Sequence, residues 1–172
     1  SGNKSPVEVR LRVRVYDDHD ELRDVDGAAV NLAPGAETVL EWKLPEFAGQ
    51  PIGEIGLAIS STVKRADGTL LVDYLRWDGA PSLTLRRPGP ECDFWRMAWV
   101  NGVSTFSKRF PPSFRISQDR GEGLIAHGTR QWRDYEVKSA LVIHLGNHGG
   151  LALRVQGLRR FYAVRVTRVG AL

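Results

Sequence analysis

The sequence predicts an all-β chain, an antiparallel β-sandwich of jelly-roll type, and three observations carry that prediction. Apolar and polar residues trade places with a two-residue period in several short runs, which puts one set of side chains on a buried face. Turn-forming residues, drawn from 18 glycines and 9 prolines, separate those runs. Strand-like runs recur at roughly 8–12-residue spacing with no long amphipathic helix between them, the rhythm of a sandwich.

The first element is the clearest. Val7, Val9, Leu11, Val13 and Val15 alternate with Glu8, Arg10, Arg12, Arg14 and Tyr16, so residues 7–16 read as a strand with five aliphatics on one face. The acidic stretch Asp17-Asp18-His19-Asp20, continued by Asp24 and Asp26 and closed by Gly27, reads as a solvated loop. Residues 39–44 repeat the alternation with Leu40, Trp42 and Leu44 inward, and Ile55, Leu57 and Ile59 do the same before Ser60-Ser61. Asp67-Gly68 predicts a hairpin turn between 55–64 and 69–77. A shorter strand follows over 82–86 through Leu83 and Leu85.

Arg87-Pro88-Gly89-Pro90 is the expected boundary, because two prolines around a glycine withdraw ladder donors. It separates a portion at 7–87 from one at 91–170, and the two form one joint sandwich or two small consecutive ones. Beyond it the chain turns aromatic, with Phe94, Trp95, Trp99, Phe106, Phe110 and Phe114. A short helix fits 93–100, where Phe94, Met97 and Ala98 share a face. Strands are expected over 113–118, 123–127, 135–143, 151–156 and 161–167, with Gly157-Leu158-Arg159-Arg160 as the turn of a hairpin and Gly121-Glu122-Gly123 as a plain turn.

A chain of 172 residues that is 42% hydrophobic can bury a core. Its 24 Lys and Arg against 20 Asp and Glu give a mixed surface, not the single basic stripe of a nucleic-acid binder. The one dense basic segment holds Arg154, Arg159, Arg160, Arg165 and Arg168. Strand alternation divides these between faces, so they read as a solvated rim rather than a phosphate site. Cys92 is the single cysteine; it allows no internal disulfide and reads as a buried, inert thiol. No run approaches the ~20 apolar residues of a membrane span. The opening Ser1-Gly2-Asn3-Lys4-Ser5 reads as a tag remnant or frayed terminus rather than a signal peptide, and a cytoplasmic location is expected.

Catalytic motifs are missing. His19, His127, His144 and His148 form no HExxH pair, and there is no Gly-x-Ser-x-Gly elbow, P-loop or dinucleotide fingerprint. The acidic loop at 17–26 and Asp73, set among apolar residues, are the places where a structural calcium would sit, though without EF-hand spacing. Asp134 and Glu136 share a strand face and are the basis for an alternative reading as a glycoside hydrolase.

Sugars offer apolar ring faces and clustered hydroxyls, so their sites combine Trp or Tyr with Arg, Gln, Asn and Asp. Arg154 and Gln156, two apart, project to one side of a strand while Leu153 and Val155 project to the other. Tyr162 lies across the hairpin turn, and Trp132, Arg133 and Tyr135 open another strand. Trp132, Tyr135, Arg154, Gln156 and Tyr162 are therefore the candidate ligand-binding residues. Trp42, Trp77, Trp95 and Trp99 read as packing.

Several segments carry a family resemblance. Glu41-Trp42-Lys43-Leu44-Pro45, the stretch from Gly49 to Leu57, Gly68 to Leu75 and Trp77-Asp78-Gly79-Ala80-Pro81 resemble galactose-binding-like carbohydrate modules. Gly128 to Val137 and Gly150 to Val164 resemble concanavalin-like or LamG-like lectin and glucanase sandwiches. In this order, with Phe94-Trp95-Arg96-Met97-Ala98-Trp99-Val100 at the junction, they are similar to the accessory region that follows the catalytic domain in bacterial ADP-ribosylglycohydrolase-family proteins. The resemblance implies a non-catalytic module that binds a glycan or an ADP-ribose-like ligand. Its partner would be a catalytic domain of the same longer chain, whose acidic metal-binding motifs are not found here. A structural module that packs on such a domain without a small ligand is the alternative.

Overall fold

The computed structural model describes residues 5–61 and 68–168, so the expected Asp67-Gly68 turn falls in part outside the described residues. The fold is all-β and antiparallel, with one short 3₁₀ helix and no α-helix among the described residues. It divides into two compact units. One holds the chain up to Trp77 together with Leu83–Ala98 and Pro111–Ser113; the other holds Asp78–Ser82, Trp99–Phe110 and the chain from Phe114. The Arg87-Pro88-Gly89-Pro90 stretch lies within the first unit.

The first unit is built on β1 (Val7–Tyr16), the strand whose alternation is strongest. Val7, Val9, Val13 and Val15 are buried and Leu11 half-buried, while the residues between them face outward. One edge of β1 pairs with β4 (Ile52–Ser60), and β2 (Leu22–Asp26) and β3 (Val30–Leu32) share the other. The register sets Leu57 beside Leu11 and Ile55 beside Val13, so β4 continues the apolar face, although Ile55 and Ile59 remain exposed. A bulge at Gly53 lets Val15 pair with Ile52 after Arg14 has paired with Glu54.

The expected solvated loop at 17–27 is corrected in part, because its second half is β2. The register explains it: Arg12 faces Asp26 and Arg14 faces Asp24. Arg12 Nε and Nη2 donate to the two Asp26 carboxylate oxygens at 2.6 and 2.8 Å, and Arg14 Nε donates to Asp24 at 3.0 Å and its Nη1 to Glu54 at 3.1 Å. Glu8 and Arg10 also pair on this sheet. Cross-strand opposite charges stabilise sheet pairing, a signal invisible to hydrophobic periodicity.

The first half of the acidic stretch stays a turn and reaches outward. The Asp20 carboxylate accepts the N–H groups of Asp93 and Phe94 at 2.8 and 2.9 Å, at the start of the 3₁₀ helix Phe94–Ala98. That satisfies donors which the helix cannot pair itself. The helix buries Trp95, not the expected Phe94, Met97 and Ala98 face; Trp95 is 1% exposed and Met97 64%. The Arg87 guanidinium lies over the Trp95 ring, 5.3 Å from its centroid, and donates to the Ser113 carbonyl. Cys92 is buried as expected, and burial pushes its thiol above the ordinary range, which suppresses the reactive thiolate.

Residues 39–44, 69–77, 82–86 and 135–143 carry no ladder, contrary to expectation. Alternation supplies an apolar face but no partner, and a strand needs both. Leu40 and Trp42 are still half-buried, with the Trp42 ring against Gly27. Residues 71–80 are exposed throughout. Asp73 is exposed with them, so its charge among apolar neighbours calls for no buried partner.

Among the described residues the second unit contains three two-stranded antiparallel sheets. They are β5 (Val100–Gly102) with β8 (Leu124–Ala126), β6 (Thr105–Ser107) with β7 (Arg115–Ser117), and β9 (His148–Gly157) with β10 (Arg160–Thr167). Strands β7 to β10 fall within or over the expected runs; β5 and β6 were not expected. Trp99 gathers the aromatic core, with Phe106, Phe114 and His127 ring centroids 6.0, 5.1 and 5.2 Å away.

Candidate functional site

The expected hairpin turn forms at Leu158-Arg159, between β9 and β10. Its ladder is irregular near the tip: Arg160 pairs with Gly157, but Tyr162 already pairs with Leu153. Two residues of β10 therefore span four of β9, and Arg154, Val155 and Gln156 form a bulge. Arg154 takes a left-handed backbone, with φ 51°, a conformation that costs a non-glycine residue about 1 kcal/mol or more. The Arg154 N–H, lost to the ladder, donates to the Tyr135 hydroxyl at 3.1 Å. Bulges re-aim side chains; here Arg154 and Gln156 are exposed while Leu153 and Val155 are half-buried.

Tyr135 links this bulge to the aromatic core. The ring centroids of Tyr135 and Trp132 lie 6.2 Å apart, and Trp132 and His127 5.9 Å apart. The Trp132 ring sits where a Cβ on Gly128 would fall, so glycine is required for that approach. Trp132 and Tyr135 are half-buried and packed, Tyr135 against the Arg154 backbone, whereas Tyr162 is exposed. Of the five expected ligand-binding residues, Trp132, Tyr135 and Arg154 are thus brought into one connected group. No side-chain hydrogen bond or ring contact joins Gln156 or Tyr162 to it among the described residues.

A cleft of about 560 Å³ opens beside the hairpin turn. Gln118, Arg120 and Glu122 line one wall, and Leu158, Arg159 and Phe161 the other. The first wall is held from behind. Gln118 Oε1 accepts the Ser104 N–H at 2.9 Å and its Nε2 donates to the Arg120 carbonyl at 2.6 Å, while Gly121 takes the left-handed backbone, φ 68°, that turns the loop. Glu122 ties that loop to β10 through Arg165 at 2.6 Å and approaches His148 at 4.0 Å.

No family model, curated protein or solved structure matches this chain. The chemistry of the cleft therefore rests on its own residues. Arg165 neutralises Glu122, whereas Arg120 and Arg159 have no carboxylate partner among the described residues. Guanidinium groups facing a cleft suit hydroxyl and oxyanion acceptors, and the Phe161 ring offers an apolar face. Among the basic segment expected as a rim, Arg159 lines this cleft, Arg165 pairs with Glu122 and Arg168 donates to the His144 carbonyl.

Gln118, Arg120, Glu122, Leu158 and Phe161 were not anticipated as site residues. Gly121-Glu122-Gly123 was the available signal, since two glycines around a charge mark a tight loop that presents its neighbours. The carboxylates considered for calcium have other work. Asp17 accepts the His19 and Glu21 N–H groups, which hold it below the ordinary carboxylate range; Asp18 accepts from Gln50. No group of three His, Cys, Asp or Glu residues placed to hold a metal occurs among the described residues. Of the hydrolase pair, Glu136 is engaged by Lys138 at 2.9 Å on an exposed segment.

Proposed function

We propose that the chain is a non-catalytic module that binds a glycan or a ribose-containing ligand, on sheets of sandwich type, at the tip of the β9–β10 hairpin. The observation that carries this reading is the cleft itself, where an aromatic ring and two arginines without carboxylate partners among the described residues line a volume of about 560 Å³. That volume is in the range of small-molecule sites. The exposed Arg154 and Gln156 of the neighbouring bulge extend the polar surface. Attachment to a catalytic domain of the ADP-ribosylglycohydrolase family remains part of the proposal and follows from the sequence resemblance alone.

Isothermal titration with a panel of neutral and charged oligosaccharides and with ADP-ribose tests it. Heat is expected from at least one member, and Phe161→Ala is expected to weaken that binding about tenfold, the worth of roughly 1.4 kcal/mol. A panel that gives no heat at all would sink the reading. A second reading, a protein-binding module, draws on the exposed Leu71, Tyr74 and Trp77, since clustered exposed apolar groups mark interaction surfaces. It predicts that no sugar binds.

A further inference from the structure

We infer that the ligand of the hairpin cleft carries an oxyanion, a carboxylate or a phosphate group, received by Arg120 and Arg159. The inference takes the cleft from the reading above and adds the charge of its occupant. It starts from how the charges of the second unit are paired. Glu122 is the carboxylate lining the cleft, and Arg165 reaches it at 2.6 Å. Arg168 is turned to the His144 carbonyl, and Arg115 lies 4.5 Å over the Phe110 ring centroid. Arg130, Arg133, Arg154 and Arg160 also lack a carboxylate partner among the described residues, but only Arg120 and Arg159 come together, in the two segments that line one cleft, with no carboxylate or carbonyl receiving their side chains among the described residues.

Two cations facing a shared concavity repel each other and focus positive potential there. A neutral sugar leaves that charge uncompensated. An oxyanion relieves it and accepts the guanidinium fork in bidentate fashion. The backbone at Arg120 is fixed before any ligand arrives, because Gln118 bonds to its carbonyl and to Ser104. Gln118 is thus a positioning residue. Arg159 is placed by the two-residue hairpin turn. With the backbone held at both positions, the freedom lost on binding is that of the two arginine side chains.

The test is a titration of the intact chain with four probes: glucose, glucuronic acid, glucose 1-phosphate and inorganic phosphate. At low salt, glucuronic acid or glucose 1-phosphate is expected to bind at least tenfold more tightly than glucose. That margin should shrink as sodium chloride rises, because the site is open to solvent. In the Arg120→Gln, Arg159→Gln double variant the preference should disappear; both side chains are exposed, and an unchanged circular dichroism spectrum verifies the fold. Comparing the carboxylate and phosphate probes assigns the oxyanion type. Glucose binding as tightly as its charged counterparts, with no effect of the double variant, would overturn the inference while leaving the glycan reading intact. Inorganic phosphate matching glucose 1-phosphate, and lost in the double variant, would uphold the oxyanion site and overturn the glycan reading. Silence from all four probes would overturn the inference, and the glycan reading too if the wider panel is equally silent.

Discussion

Asp26 sits opposite Arg12 in the β1–β2 register and accepts two hydrogen bonds from its guanidinium. Those bonds, with the positive charges of Arg12 and Arg10, hold the Asp26 carboxyl below the ordinary carboxylate range, against the smaller opposing effect of desolvation. A carboxyl whose folded-state pKa is depressed favours folding fully above its unfolded-state pKa, and that contribution fades as pH falls through the folded-state value. The first unit should therefore keep this stabilisation at neutral pH and lose it progressively under acid. Asp26→Asn should lower the urea midpoint at pH 7 and flatten its decline on the acid side. Residual acid sensitivity belongs to Asp17, whose carboxyl is lowered by the His19 and Glu21 N–H groups. An Asp26→Asn variant with an unaltered acid limb would show that the Arg12 pairing does not couple to folding.

Strand β1 and strand β10 are both expected from the sequence, yet the structure treats them differently. Val15 in β1 is 0% exposed, whereas Val164 in β10 is 65% exposed. Among the described residues β1 has partners on both edges, while β10 has one. Val15→Ala should therefore destabilise the fold by about 2 kcal/mol through lost burial and a residual cavity, and Val164→Ala should stay within about 0.5 kcal/mol. Equal losses in chemical denaturation would contradict the burial assigned to the two strands. The same contrast explains what was legible beforehand. The alternation of Val7 to Val15 and the Gly157-Leu158-Arg159-Arg160 turn are local signals, and β1, β9 and β10 formed where they pointed. Strand β2 depends on Asp24 and Asp26 meeting Arg14 and Arg12 across a turn, a pairing that no single run displays. At the site, Arg154 and Gln156 were legible as outward-facing, but Arg120 and Phe161 become neighbours of one cleft only through the β9–β10 pairing and the Glu122–Arg165 contact.

Large apolar side chains stand exposed outside any ladder among the described residues, among them Leu71, Val72, Tyr74 and Val142. These belong to runs that the sequence reading makes strands, at 69–77 and 135–143, yet among the described residues no partner strand receives them. Hydrophobic surface left in water binds apolar dyes, and a fold that buries less releases less surface on unfolding, which lowers the denaturant slope. The isolated chain should accordingly enhance the fluorescence of an anilinonaphthalene sulfonate dye at neutral pH without denaturant. Its urea m-value should fall below that of typical 172-residue proteins. Dye binding should drop on Leu71→Ser, because Leu71 is 85% exposed and the change removes apolar area without opening a cavity. Weak dye fluorescence together with a full-sized m-value would mean that these side chains find cover in solution, and 69–77 would then be paired as the hairpin reading of the sequence expects.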